Sequence, residues 1–241
     1  MKPLLPPPLA ALALFASLTF SGIRPEAAAQ DVKEQSLQAP NGVAIKVRME
    51  GPLTADTPLQ IVCYFRYTPD LAKRMSGAAV ELNKELGGVL AALRERGEFE
   101  GDALETILII PPSGSIKAKA LLIVGLGEEE SLSLERMERV GRVALREASR
   151  LGVRRVAFAP LLRDQGNSKF GTGDVAAAVV RGMLLAYDTE RRLQKQGLAR
   201  EWTLEGWEVE AGPAYFDDTV IGVKRAISEA ATSAAPLKSA P

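Results

Sequence analysis

The sequence predicts an α/β fold, a sandwich of helices about a mixed central sheet. Three observations predict it. Short apolar runs of strand length alternate with longer stretches whose apolar residues recur at helical spacing. Two apolar runs, "ETILIIPP" and "ALLIVGLG", stand too close for a helical crossover, so that pair is antiparallel or irregular and the sheet is not purely parallel. The chain has 241 residues, enough for one α/β domain with a sizeable core.

The first 29 residues are read as a segment outside that fold. Lys2 gives a thin positive start, and "LAALALFASLTF" (Leu9 to Phe20) is an apolar run of 12 residues. That is short for a bilayer span and suits the core of a signal peptide. Ala27-Ala28-Ala29 supplies small residues for cleavage near Ala29. The expectation is export, to a bacterial periplasm or the medium, with no stable membrane anchor. An uncleaved anchor or a buried core helix is the alternative. Residues 30–40 are polar and read as a linker, 41–230 as the domain, and 231–241 as a disordered tail.

Within the domain, "GVAIKVRM" (Gly42 to Met49) alternates Val43, Ile45 and Val47 with Ala44, Lys46 and Arg48, the pattern of a half-buried strand. "LQIVCYF" (Leu59 to Phe65) is apolar throughout and reads as a more buried strand. Thr68, Pro69 and Asp70 make a helix start: cap, first-turn proline and a carboxylate that suits the dipole. A whole or broken helix then runs toward Arg96 with Leu82, Leu86, Val89, Leu90 and Leu93 on one face. Gly87-Gly88 weakens it by about 1 kcal/mol per glycine and could serve close approach to the sheet.

The two neighbouring strands follow, then a helix capped by Ser133, with Glu135 in its first turn. Leu134, Met137, Val140, Ala144, Leu145, Ala148 and Leu151 form its stripe, and Gly152 closes it. "RRVAFAP" is the next strand. A helix from about Asp174 carries Val175, Ala178, Val179, Gly182, Leu185 and Ala186, and ends in the charged "TERRLQKQG". "EWTLEGWEVEAG" reads as a last strand or hairpin, with Trp202 and Trp207 on opposite faces, one packed and one exposed. "DDTVIGVKRAISEAA" reads as a short helix.

Composition excludes much chemistry. The chain has no histidine, so Ser-His-Asp, Cys-His and histidine-zinc sites are ruled out. Basic and acidic residues number 30 each, so no nucleic-acid partner is expected. Cys63 is the single cysteine. In its apolar strand it reads as a small buried hydrophobe, with a reactive thiol as the alternative. No cofactor and no metal site is expected.

Two glycine-rich turns are candidate ligand sites. Gly125 and Gly127 end a strand before a helix, as in dinucleotide cradles. Glu130 replaces the third glycine, and Glu128, Glu129 and Glu130 would repel a pyrophosphate. The second loop, "RDQGNSKFGTG", places Gly166, Asn167, Lys169, Gly171 and Gly173 before a helix N-terminus, where backbone amides can face an anion. The alternative for this loop is a flexible surface turn. Asp164 and Asp174 flank it without spacing that makes an acid/base pair.

The order of these segments resembles the amino-terminal domain of the leucyl aminopeptidase (cytosol aminopeptidase) family. The likeness is carried by "ELNKELGGVLAAL", "GEFEGDALETILI", "IKAKALLIVGLG", the helix after "EEESLSLE", and "AAAVVRGMLLAYDTERR". It covers about Gly42 to Ala230. The resemblance implies a macro-domain-like three-layer sandwich. It also implies a role in oligomer assembly and in shaping access to a catalytic site elsewhere. The family's two-metal site, with its Asn-Thr-Asp-Ala-Glu-Gly-Arg segment, has no counterpart in this sequence, so no catalytic or metal residue carries over. An export signal departs from a family that is typically intracellular. In some members the domain contributes to DNA binding, which the balanced charge here argues against.

Three functions are thus expected in order: a non-catalytic binding or assembly module, a macro-like protein for an ADP-ribose-type ligand, or an accessory subunit of a separately encoded metalloaminopeptidase. The partner expected is a second copy or that catalytic subunit.

Overall fold

The computed structural model describes residues 32–233. The expected signal peptide and residues 234–241 of the expected tail lie outside the described residues. Seven strands form one sheet: β1 (Glu34–Gln38), β2 (Ala44–Arg48), β3 (Leu59–Tyr64), β4 (Thr106–Ile109), β5 (Leu121–Gly125), β6 (Arg155–Ala159) and β7 (Gly206–Glu210). Their order is β1-β2-β7-β6-β3-β5-β4. The five inner strands are parallel, and the edges β1 and β4 are antiparallel to their neighbours. The mixed sheet expected from the short β4–β5 connection is present.

Burial follows the period of two. Ile45 and Val47 of β2 are fully buried against one helical layer, made by α4 (Leu134–Leu151), α5 (Thr172–Lys195) and α6 (Phe216–Ser233). On β3, Ile61 and Cys63 face that layer, while Val62 and Tyr64 face the opposite one. The opposite layer contains α2 (Gly77–Glu85) and α3 (Val89–Glu95), which bury Leu82, Leu86 and Leu90. The result is a three-layer sandwich.

The helix boundaries have local causes. The short α1 (Pro69–Arg74) starts at Thr68, whose Oγ1 accepts from the Leu71 amide at 3.1 Å. In α4, Ser133 accepts from the Arg136 amide at 3.1 Å, and Gly152 closes the helix with a left-handed φ of 72°. Where α4 crosses α5, a Cβ on Gly182 would overlap the Glu138 carbonyl, so glycine sets how closely the two helices approach.

Four expectations need correction. The polar segment over 30–40 is not a loose linker, because Glu34–Gln38 pairs along β2 as an edge strand. Its side chains face mostly solvent, which leaves no apolar alternation to read. Toward Arg96 the broken-helix alternative holds, as three helices, and what needs correction is the close approach read into its glycines. Gly87 and Gly88 have φ of 67° and 83° with open space around both, so they break the helix and serve no close approach. The last helix is long, reaching Ser233, beyond the expected limit at residue 230. Both tryptophans are buried. Trp207 stacks on Phe158 with centroids 6.0 Å apart, and Trp202 meets the Tyr187 ring edge-on at 5.9 Å. The strand begins only at Gly206, so Trp202 is free of its alternation.

Candidate functional site

A concavity lies beyond the carboxyl ends of β2, β6 and β7, where open α/β sheets bind ligands. It is a cleft of about 380 Å³, bounded by Glu50, Ala159 to Asp164, the first turns of α5, and Val209 to Gly212. Phe158, Leu161, Phe170, Val175 and Val209 give it apolar walls. Its volume is within the range of small-molecule sites, about 300–1,000 Å³.

The loop after β6 is held by one buried side chain. Gln165 is fully buried; its Oε1 accepts from the Phe65 amide at 2.9 Å. Its Nε2 donates to the carbonyls of Cys63 and Leu161, both at 3.0 Å. The amide thus takes over hydrogen bonds at the end of β3, past the last β6 pair at Val62. Leu161 has a φ of 52°, a left-handed conformation that costs a non-glycine residue about 1–2 kcal/mol. The Gln165 bond to its carbonyl helps fix it.

Two carboxylates line the cleft from adjacent strands. Glu50, just past β2, pairs with Arg48 at 2.8 Å. Glu210, the last residue of β7, is 8% exposed, and both its carboxylate oxygens are enclosed, with the Gln60 side chain as hydrogen-bond neighbour. Burial pushes its pKa well above the ordinary carboxylate range, and the nearby Glu50 and Glu208 push it further. The Gln60 amide and Arg48 pull the other way. Gln60 Nε2 also donates to the Ile61 carbonyl at 3.3 Å, which leaves its second N–H for Glu210.

The cation at the rim, Arg163, is occupied. Its guanidinium donates to the carbonyls of Asn167 at 2.8 Å and Phe170 at 2.7 Å. The N-terminus of α5 is also occupied: Asp218 of α6 accepts from the Gly173 amide and from Thr172 Oγ1, each at 2.7 Å. These bonds, from Thr172 first and Gly173 second, hold the Asp218 carboxyl below its ordinary range.

The glycine-loop candidates sit beside the cleft, and none of them lines it. Asn167 is buried; its Nδ2 donates to Glu129 at 3.1 Å, and its Oδ1 accepts from the Lys169 amide at 3.2 Å. Lys169 Nζ donates to the carbonyls of Glu130 at 3.0 Å and Leu132 at 2.8 Å. Gly166 is left-handed at φ 79°, and Gly171 caps α5. Gly125 packs against the Gly101–Asp102 main chain, and Gly127, at φ 71°, lies against Ala103. The two loops do come together, through the Asn167–Glu129 bond. Arg74 also pairs with Glu129 at 2.6 Å and lowers its pKa.

Sequence reasoning did not single out Glu50, Glu210, Gln165 or Asp218. Among the described residues, no group of three or more His, Cys, Asp or Glu is placed to hold a metal ion. No helix among the described residues is long and apolar enough to cross a membrane.

The family described as "Cytosol aminopeptidase family, N-terminal domain" matches residues 64–196. A probable cytosol aminopeptidase of Roseiflexus castenholzii is 36% identical over 103 residues, 42% of this chain and 20% of that protein. One of Geotalea uraniireducens is 30% identical over 139 residues, 57% of this chain and 27% of that protein. The chain therefore spans about a quarter or less of the length of these relatives. A macrodomain of Oceanobacillus iheyensis superposes with a TM-score of 0.57 at 12% identity, covering 85% of this chain and 98% of that one. Tomato leucine aminopeptidase gives 0.54 at 18% identity, covering 81% of this chain and 38% of that one. At these identities the structural likeness shows the fold, which is macro-like.

Proposed function

The chain belongs to the cytosol aminopeptidase family, through its N-terminal domain, and from that premise we propose that it is a non-catalytic binding or assembly module. The observation that carries this reading is the extent of the likeness. The matched segment is the N-terminal domain, and it accounts for 20% and 27% of the length of two relatives named as aminopeptidases. On this reading the peptide-bond chemistry belongs to a catalytic region of the kind those relatives have. This domain supplies a surface for a second copy or for an aminopeptidase-type catalytic polypeptide. Export is part of the proposal and rests on the apolar run Leu9 to Phe20 and the alanines before Gln30.

A second reading, an ADP-ribose-type ligand, draws on an Oceanobacillus iheyensis macrodomain solved with ADP, at a TM-score of 0.54. The local electrostatics support it less. Asp218 holds the α5 N-terminus, and Glu50, Asp164 and Glu210 line the cleft, so phosphates would meet carboxylates.

The test uses the purified full chain. Incubation with leucine para-nitroanilide and manganese or zinc is expected to give no metal-dependent turnover. Light scattering after gel filtration is expected to give a mass above the 25.8 kDa of one chain, or a stoichiometric complex with a catalytic polypeptide. Metal-dependent turnover that copurifies with the chain overturns the reading. Mass spectrometry of the N-terminus after expression with an export machinery tests cleavage near Ala29.

A further inference from the structure

We propose that a second copy of this chain docks on the β4 edge, strand against antiparallel strand, about a two-fold axis at Leu108. The inference names the surface for the second copy in the reading above, and it rests on that reading.

Strand β4 ends the sheet, with β5 on one side and no strand of the described residues on the other. Gly125 donates to the Glu105 carbonyl and accepts from the Leu104 amide, both at 2.8 Å. Main-chain groups then alternate in direction along the antiparallel ladder. Those of Ile107 and Ile109 turn to β5, opposite Ile123 and Leu121. Those of Thr106, Leu108 and, just past the strand, Ile110 turn away from the sheet. An open row of this kind invites another strand unless something blunts it.

The two edges of the sheet differ in that respect. On β1, Glu34, Gln35, Ser36 and Gln38 keep the edge polar. On β4, the run Ile107 to Ile110 is aliphatic throughout, and Leu108 and Ile110 are 41% and 70% exposed. Pro111 and Pro112 follow and have no amide to donate, so a ladder on this edge stops at Ile110.

Charge selects the occupant. The entry to β4 is acidic. Glu100, Asp102 and Glu128 share the guanidinium of Arg66, at 2.9, 3.4 and 3.1 Å. Glu105 lies beside them, its carboxylate on the Gly101 and Asp102 amides. The connection after β4, Ile110 to Ala120, carries the exposed Lys117 and Lys119 and no carboxylate. A strand with an acidic entry, an apolar middle and a basic exit is complementary to its own reverse. An antiparallel copy brings the lysine end of each chain toward the carboxylate end of the other, and the two-fold axis does so twice. With the axis at Leu108, that residue faces its counterpart and Thr106 faces Ile110, and such opposed residues exchange both N–H···O bonds. On the other face of the sheet Ile107 meets Ile109, and the two sheets become one.

Sedimentation equilibrium of the full chain tests the idea, with Leu108→Lys and Leu108→Glu as variants. Leu108 is exposed, so both are expected to keep the melting transition. The unaltered chain is expected at twice the mass of one chain. Each variant alone sets like charges face to face across the axis and is expected to self-associate at least about tenfold more weakly. Mixed in equal amounts, the two variants are expected to form the dimer again. In the unaltered chain, hydrogen exchange at the amides of Thr106, Leu108 and Ile110 is expected to slow as concentration rises through the dissociation constant. That measurement decides the matter even if the variants misfold. A monomeric unaltered chain, exchange at these amides that ignores concentration, a mixture no larger than its components, or variants that assemble as the unaltered chain does overturns the proposal. In the last case the copies meet elsewhere and the module reading stands, whereas metal-dependent turnover overturns that reading whatever the mass.

Discussion

Asp218 accepts a hydrogen bond from the Gly173 amide at 2.7 Å, so a carboxylate of α6 closes the N-terminus of α5. Helix N-termini attract anions because their first amides lack helical partners and the dipole is positive there. In this fold an internal side chain meets that attraction. The contact also seats α6, for a Cβ on Gly222 would overlap the Gly173 main chain. A glycine-rich loop before a helix, which in sequence reads as an anion site, is here a cap joining two helices.

Replacing Asp218 by alanine should lower stability by about 1 kcal/mol at neutral pH, the usual worth of such a cap. The dependence on pH follows from a folded pKa held below the ordinary one. That contribution is complete above the unfolded value of about 3.9. It is lost as pH falls through the folded value. Urea unfolding of both proteins should therefore show a gap at neutral pH that closes in acid. An equal gap at both extremes would mean that the charge plays no part.

Gln165→Ala should be among the most damaging single changes in the loop after β6. It strips partners from the Phe65 amide and from the Cys63 and Leu161 carbonyls, all beside a fully buried side chain. With about 1–3 kcal/mol for each buried group left unpaired, a loss of roughly 3 kcal/mol is expected by guanidinium denaturation. Gln165→Glu can still accept from Phe65 but cannot donate to the carbonyls, so it should not rescue. A loss under about 0.5 kcal/mol, typical of surface sites, would remove the brace.

The legible parts of this fold are those with two chemically different faces. Val43, Ile45 and Val47 announce β2 because one side of it is core. The short run between Ile110 and Leu121 announces the antiparallel β4–β5 pair because no helix fits there. Strand β1 is silent because an edge strand with solvent on most of its side chains needs only its backbone. The cleft is silent for a related reason. In "GWEVE", Glu208 and Glu210 read as the wet side of a half-buried strand, yet Glu210 is buried. Gln165 and Asp218 bond to groups 100 and 45 residues away, and nothing local marks them. The glycine loops were legible as turns, but the pairing of Asn167 with Glu129 depends on how β5 and β6 are spaced by β3.

Cys63 should be inert in the native protein. It is fully buried in β3, and burial raises its thiol pKa far above the ordinary value. The thiolate is the reactive form, so both access and ionisation oppose attack. Treatment with iodoacetamide at mild alkaline pH should leave the folded chain unlabelled and label it once in guanidinium. Rapid single labelling of the folded protein would show that β3 opens locally.

Glu210 should make the protein less stable as pH rises. Its folded pKa is raised by burial, with help from Glu50 and Glu208 and against Arg48 and Gln60. Between the unfolded value, about 4.3, and the folded value, the native state keeps a proton that the unfolded chain has lost. Stability then falls with pH, because the slope follows the excess of protons bound by the unfolded state, here negative. The loss runs at up to about 1.4 kcal/mol per pH unit inside that window and stops above the folded pKa. Glu210→Gln has no such proton to lose. Melting curves of the two proteins should nearly coincide near the unfolded pKa and diverge toward alkaline pH, with the variant the more stable. Parallel curves would show that Glu210 is already ionised in the fold, and would place its counter-charge within the protein.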